Sequence, residues 1–255
     1  MEKCIFDTHC HYLDPAFDED RDQILAELPE KGVALVTMVG TTLEDSAAGI
    51  PLSQKIPYMY TSVGIHPEFA GIQPADYLDQ LATLAKGEKV VAIGEIGLDY
   101  HYPGYDKAAQ LDLFRAQMGL ARDLDLPVII HARDCTQDYL DVLTEFRPKG
   151  VVHCFSGSAE TAEIVVKLGM YVGFTGILTF KNAKKARRAL AAVPQDKFVL
   201  ETDCPYMAPV PYRGKRCDST MIPYTAEAAA EVYGLDKETV LQKGLENGKR
   251  LYGLA

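Results

Sequence analysis

The sequence has no apolar run of the roughly 20 residues that a membrane-spanning helix needs, so no membrane-embedded segment is expected. It has no C-x-x-C pair. Its six cysteines, Cys4, Cys10, Cys135, Cys154, Cys204 and Cys217, are scattered, mostly in or beside apolar strand-like runs. Free Cys in such places behaves as a small hydrophobe, and a chain this long can build a core without a disulfide framework. The opening residues pass at once into a strand-like pattern with no signal-peptide core, and a reducing cytoplasm is the expected setting. Positive charge is not in excess. With 26 Lys and Arg against 36 Asp and Glu, the formal net charge is −10, which argues against broad, non-specific duplex binding. A nucleic acid gripped locally by metals and a few basic side chains stays compatible with that charge. There is no low-complexity segment, linker or repeat, so residues 1–255 read as one domain, and nothing calls for an obligatory protein partner.

What the sequence does have is alternation. Strand-like runs fall at 4–7, 33–39, 59–65, 90–96, 127–131, 150–155, 171–175 and 198–202. Between them lie amphipathic stretches at 20–31, 43–54, 74–87, 107–124, 136–146, 159–168 and 183–193, and two more, 220–233 and 237–252, follow the last strand. In the 107–124 stretch, Leu111, Phe114, Met118 and Ala121 recur at helical spacing, with polar residues assigned to other faces. Eight strands, each followed by a helix, define an α/β chain expected to close into a (β/α)8 TIM barrel, an open doubly wound sheet being the other arrangement with this pattern.

The chemically unusual residues sit near the C-terminal ends of these strands. His9 and His11 follow the first, His66 the third, Glu95 lies near the end of the fourth, His131 closes the fifth, His153 lies late in the sixth and Asp203 ends the eighth. That rim is where barrel active sites are assembled from several strands. H-x-H in an extended segment puts two imidazoles on one side, suited to one ion. Each residue has an ordinary reading. A single His can satisfy itself on backbone, Asp203 can cap the next segment, and His66 can shape the turn before Pro67. Glu95 is harder to place as a core residue, because a buried carboxylate must be paired or coordinated. Four imidazoles and two carboxylates exceed what one tetrahedral Zn²⁺ takes, and a bridging carboxylate would let two ions share them. Nitrogen and oxygen donors favour Zn or Mn, with Mg also compatible. Cys10, Cys154 and Cys204 adjoin these ligands and, by strand alternation, are expected to pack outward against helices.

Seven segments together resemble one family, the TatD-type metal-dependent deoxyribonucleases of the amidohydrolase-like barrels. They are Asp7-Thr8-His9-Cys10-His11, Gly64-Ile65-His66-Pro67, Gly94-Glu95-Ile96-Gly97-Leu98-Asp99, His131-Ala132-Arg133-Asp134, His153-Cys154-Phe155-Ser156-Gly157, the run from Gly176 to Lys181, and Glu201-Thr202-Asp203-Cys204-Pro205-Tyr206. The resemblance spans nearly the whole chain in order. It implies a two-metal phosphodiesterase acting on DNA and trimming single strands from the 3′ end, with RNA as a further substrate. It also implies that His9, His11, Glu95 and Asp203 hold one metal, and Glu95, His131 and His153 the second. Asp203 would orient or deprotonate the attacking water; His66 and Arg133 would face phosphate. One departure stands out: family members commonly continue after the stretch from Tyr212 to Arg216 with Asn-Glu-Pro, where this chain has Cys217-Asp218-Ser219. The departure leaves the ligands intact and bears on how the last loop packs.

Two basic clusters, Lys181, Lys184, Lys185, Arg187 and Arg188, and Arg213, Lys215 and Arg216, follow the last two strands and are expected either to form a local phosphate track or to be solvated surface. Tyr100, Tyr102 and Tyr206 lie on rim loops where they could stack on bases. Two other readings fit parts of the pattern: an amidohydrolase-like enzyme acting on a small amide or ester, and a non-catalytic metal-binding scaffold. Many barrel amidohydrolases bridge their metals with a carboxylated Lys after strand four; Glu95 in that place favours the nuclease.

Overall fold

The structure, a computed structural model, describes residues 3–255; Met1 and Glu2, the first positions of the expected domain, lie outside the described residues. Strands and helices alternate as β1 (Ile5–Cys10), α1 (Arg21–Glu27), β2 (Val33–Val39), α2 (Leu43–Lys55), β3 (Met59–Val63), α3 (Tyr77–Leu84), β4 (Val90–Asp99), α4 (Lys107–Asp123), β5 (Val128–Arg133), α5 (Thr136–Phe146), β6 (Gly150–Val152), α6 (Ala159–Lys167), β7 (Tyr171–Phe174), α7 (Lys184–Ala192), β8 (Phe198–Leu200), α8 (Ile222–Tyr233) and α9 (Lys237–Tyr252). The strands lie in sequence order, each parallel to the next. β8 returns to β1 through a parallel bridge between Cys10 and Cys204, with Asp203 N–H donating to His9 O and His11 N–H to Cys204 O, both at 2.9 Å. The sheet is therefore a nearly closed (β/α)8 barrel within a single domain, not the open doubly wound alternative.

The helices cover the barrel with apolar stripes. On α4, Phe114, Met118 and Ala121 are buried as helical spacing requires, while Leu111, expected with them, is only half-buried against the core and Leu113 is buried instead. The same face also buries Gln110 and Gln117, against the expectation that its polar residues would face water. Each amide clamps a backbone at the rim: Gln117 accepts from Ile65 N–H at 2.8 Å and donates to Ile65 O at 3.0 Å, and Gln110 does the same to Asp99, at 2.9 Å in both directions. A buried side-chain amide is tolerated when its groups are paired, and here the pairing fixes the segments that carry His66 and Asp99.

Two strands differ from expectation where the site is built. β4 runs on to Asp99, so Glu95 sits in mid-strand and not near its end. A register shift between Ile93 and Ile96 frees Glu95 from the β5 ladder, and its N–H donates instead to Gly40 O at 2.7 Å. β8 stops at Leu200, so Asp203 lies beyond it in a left-handed backbone conformation (φ +60°).

Candidate metal centre

Seven histidine and carboxylate side chains, from β1, β4 and β5 and from the segments that follow β1, β3, β6 and β8, converge above the barrel. Their donor atoms form three groups, each within 4.8 Å: His9, His11 and Asp203; His9, Glu95 and His153; and His66, Glu95 and His131. Glu95 belongs to two of these groups and lies close to the third. Its Oε2 is 3.4 Å from His9 Nε2 and 3.8 Å from His11 Nε2, while its Oε1 is 2.6 Å from His153 Nε2 and 2.8 Å from His131 Nδ1. Asp203 Oδ1 completes the first side at 3.4 Å from His11 Nε2 and 3.7 Å from His9 Nε2.

The backbone explains how these side chains arrive together. His9 and His11 share a face across one intervening residue of the β1 end. His131 comes off β5 beside Gly97, whose φ is +140° and where a Cβ would meet His131 O at 2.0 Å; only glycine allows β4 and β5 to approach so closely there. His153 follows β6 directly.

Hydrogen bonds select which nitrogen faces the centre. His11 Nδ1 donates to Val39 O at 3.1 Å, leaving Nε2 as a lone-pair donor, and His9 Nε2 faces it at 3.0 Å. Two imidazole nitrogens meeting edge to edge, flanked by two carboxylates, make a donor set that a borderline divalent cation satisfies. His131 Nε2 lies 3.0 Å from Asp99 Oδ2, which orients the ring and leaves Nδ1 for the centre, the carboxylate–histidine–metal arrangement. His66 is different. Its Nδ1 accepts from Glu68 N–H at 3.2 Å, so its Nε2 carries the proton and aims it towards Glu95, 3.8 Å away. It is therefore a donor at the edge of the centre, although it shares a group with Glu95 and His131.

The charge balance follows from these contacts. Burial raises the pKa of Glu95, but the neighbouring His153 and His9, with hydrogen bonds from His131 and His153, hold it well below the usual range. Burial opposes the charged forms of His11 and Asp203 as well; their mutual contact overrides it, lifting His11 to about 9 and holding Asp203 down. Burial lowers His66 to about 3, so it is neutral. The site is thus an array of carboxylates paired with imidazoles, which positive ions would replace by releasing protons.

A cavity of about 1030 Å³ opens over the centre and is lined by His11, His66, Glu95, His131, His153 and Asp203, together with Arg133 and Tyr206. His9 lies beneath it, fully buried. Three residues that sequence reasoning left without a role contribute: Asp99 orients His131, and Gln110 and Gln117 fix the backbone around the site. Their signal was polar residues at core positions of a strand and a helix.

Several rim expectations need correction. Cys154 does not pack outward: its φ of +41° breaks strand alternation, and it lines the cavity. Cys10 and Cys204 are buried where β1 meets β8, and none of the three joins a metal-donor group among the described residues. Tyr100 stacks on Tyr105 with ring centres 4.5 Å apart and packs against the core. The two basic clusters do not line the cavity. Arg187 pairs with Glu231 at 2.7 Å, Arg213 lies over Phe180, and Arg216 is held by Asp20 and stacks on Phe17.

Barrel, rim and convergent histidine–carboxylate donors are those of a metal-dependent hydrolase. The chain matches the TatD-related DNase family over residues 6–253 and belongs to it. It is similar to the uncharacterized metal-dependent hydrolase YabD of Bacillus subtilis, at 37% identity over 97% of this chain and 98% of that protein. It is also similar to the 3′-5′ ssDNA/RNA exonuclease TatD of Pectobacterium parmentieri, at 30% identity over 98% of this chain and 100% of the relative. Among solved structures, the TatD homologue YjjV of Escherichia coli K12 superposes with a TM-score of 0.94 at 30% identity, covering both chains fully.

Proposed function

We propose that this protein is a metal-dependent exonuclease that shortens single-stranded DNA from its 3′ end, with RNA as a second substrate, in the cytoplasm. The observation that carries the reading is Glu95, whose two oxygens face two different sets of imidazoles. His9, His11, Glu95 and Asp203 would hold one divalent cation, and Glu95, His131 and His153 the second. Two bound ions, Zn or Mn by donor type and Mg as the harder alternative, would supply positive charge to the attacking and leaving oxygens of a phosphodiester.

The chain's own groups do the rest. Asp203, kept ionised by His11, His9 and His153, accepts the proton of the attacking water. Neutral His66 presents Nε2–H to a phosphate oxygen, and Arg133 on the cavity wall adds a planar cation. The resemblance to a named single-strand exonuclease supports the substrate, and a glutamate rather than a modified lysine in the bridging position speaks against the small-amide reading.

The test is metal analysis of the purified protein together with an assay on single strands labelled at either end. Two equivalents of divalent metal and chelator-sensitive loss of 3′ nucleotides are expected. A metal-loaded sample that leaves DNA and RNA ends intact while cleaving another ester or amide would overturn the substrate and leave the centre standing.

A further inference from the structure

The cavity wall is charged in a way that a groove tracking a long strand would not be. Beyond the carboxylates of the centre it carries Asp14, Asp45, Glu68 and Asp106, and Arg133 is the one Lys or Arg among its described lining residues. Three of these acids are held in place: Asp45 accepts from Thr41 N–H and Oγ1–H at 3.0 Å each, Asp106 caps α4 through Ala109 N–H at 3.0 Å, and Asp14 accepts from the Tyr206 hydroxyl at 3.0 Å. A backbone leaving the centre meets fixed negative charge, and the lysines and arginines that could offset it lie elsewhere.

Beside the single cation stands an aromatic platform. The Arg133 guanidinium lies 5.3 Å over the Tyr102 ring, and its Nη1 donates to the Tyr102 hydroxyl at 3.4 Å. Tyr102 lines the cavity and is nevertheless 60% exposed. An exposed ring held next to a guanidinium offers a nucleobase a stacking surface and its phosphate a donor.

We propose that the cavity grips a single terminal nucleotide, base on Tyr102 and phosphate towards Arg133, and that the acidic wall denies the rest of the strand any further hold. This rests on the nuclease reading of the centre. The substrate class is then short single-stranded oligonucleotides as much as long ones, since only the end is read. Affinity for single strands falls with salt by a slope of about 0.7 per phosphate neutralised, so Arg133 as the one Lys or Arg contributes a slope of about −0.7, where a strand-tracking groove with four such residues would contribute about −3.

The experiment measures binding by fluorescence anisotropy, for metal-loaded protein and phosphorothioate-protected strands of two, five and twenty nucleotides across a salt series, beside cleavage of the unprotected strands. Expected are dissociation constants within about threefold across lengths, a shallow salt slope, and a weakening of about 5- to 100-fold at every length in Tyr102→Ala with near-full retention in Tyr102→Phe. Affinity that climbs tenfold or more with length, a steep salt slope, or selective loss of long strands in a Lys181→Ala, Lys215→Ala double variant would overturn the single-nucleotide grip while leaving the nuclease reading intact. Absence of binding and cleavage at every length would overturn both.

Discussion

Two carboxylates of this barrel, Glu95 on β4 and Asp7 on β1, are both almost wholly removed from water, yet their surroundings pull them in opposite directions. Glu95 is 3% exposed and Asp7 is 0% exposed. Around Glu95 the neighbours are imidazoles that can carry charge, and they keep it ionised. Around Asp7 the donors are neutral: Thr202 N–H at 3.0 Å, Thr202 Oγ1–H and Ser219 Oγ–H at 2.6 Å each, and His9 N–H at 3.3 Å. With no cation at hand, burial wins over these bonds and lifts Asp7 to about 7. The lesson is that burial alone does not fix the charge of a carboxylate; the charge of its partners does. One carboxylate prepares a place for cations, and the other ties β1 to the segment after β8 so that His9 and Asp203 face each other.

The sharpest way to break this contrast is Glu95→Gln. It keeps the shape and removes the shared anion, so metal content should fall below two equivalents and kcat/KM by on the order of a thousandfold, the several kcal/mol that metal charge supplies. The fold should survive, which thermal unfolding of the variant checks. The mirror experiment is Asp7→Ala. It leaves buried donors of Thr202 and Ser219 without an acceptor and should cost about 3–5 kcal/mol in chemical denaturation, with metal stoichiometry per folded molecule unchanged. Activity lost with stability intact would place Asp7 in the chemistry instead of the scaffold.

Smaller effects test how each ligand is supported. Asp99→Ala removes the acceptor that orients His131, and metal affinity should drop about 10- to 100-fold, read by competition with a chromogenic chelator. Protons compete at the same centre. His11, raised to about 9, must lose its proton to coordinate, so metal affinity should climb with pH by about one order per unit for each proton displaced. In the metal-free protein the sign is opposite. The raised value contributes stability that is whole below the ordinary 6.5 and is lost as pH rises through about 9. Metal-free protein should therefore weaken above neutrality, and metal-loaded protein should resist; parallel pH-stability curves for the two would contradict this.

How much of this was legible beforehand depended on whether strand periodicity held. His9, His11, His131 and His153 were readable because each interrupts an apolar run where a barrel strand ends, and the barrel follows from eight such runs. Glu95, expected near the end of its strand, lies in the middle of it, because the shift between Ile93 and Ile96 has no sequence signature. Cys154 was oriented wrongly because its left-handed backbone breaks the two-residue period on which the expectation rested. Gln110 and Gln117 passed for solvent-facing residues, since an amphipathic pattern cannot separate a polar residue in water from one that clamps backbone inside. Of the two arrangements open to the basic clusters, they take the surface one, since proximity in sequence to the rim says nothing about which side chains turn inward.

The loop that departs from the family pattern offers the finest test of the Asp7 network. Ser219 is buried and donates to Asp7, while the Tyr12 hydroxyl donates to Ser219 Oγ at 2.7 Å and accepts from Ser219 N–H at 3.0 Å. A proline there, which the family resemblance leads one to expect, could supply neither the hydroxyl nor the N–H. Ser219→Ala removes only the hydroxyl and should cost about 1–2 kcal/mol; Ser219→Pro removes both and should cost more. Both changes act through Asp7 and Thr202 on the segment that carries Asp203, so the informative quantity is activity per folded molecule. If it holds while stability falls, the network is a lock on barrel closure. If it falls with the first methyl-sized change, the lock also sets the position of Asp203, and the boundary between scaffold and centre runs through Thr202.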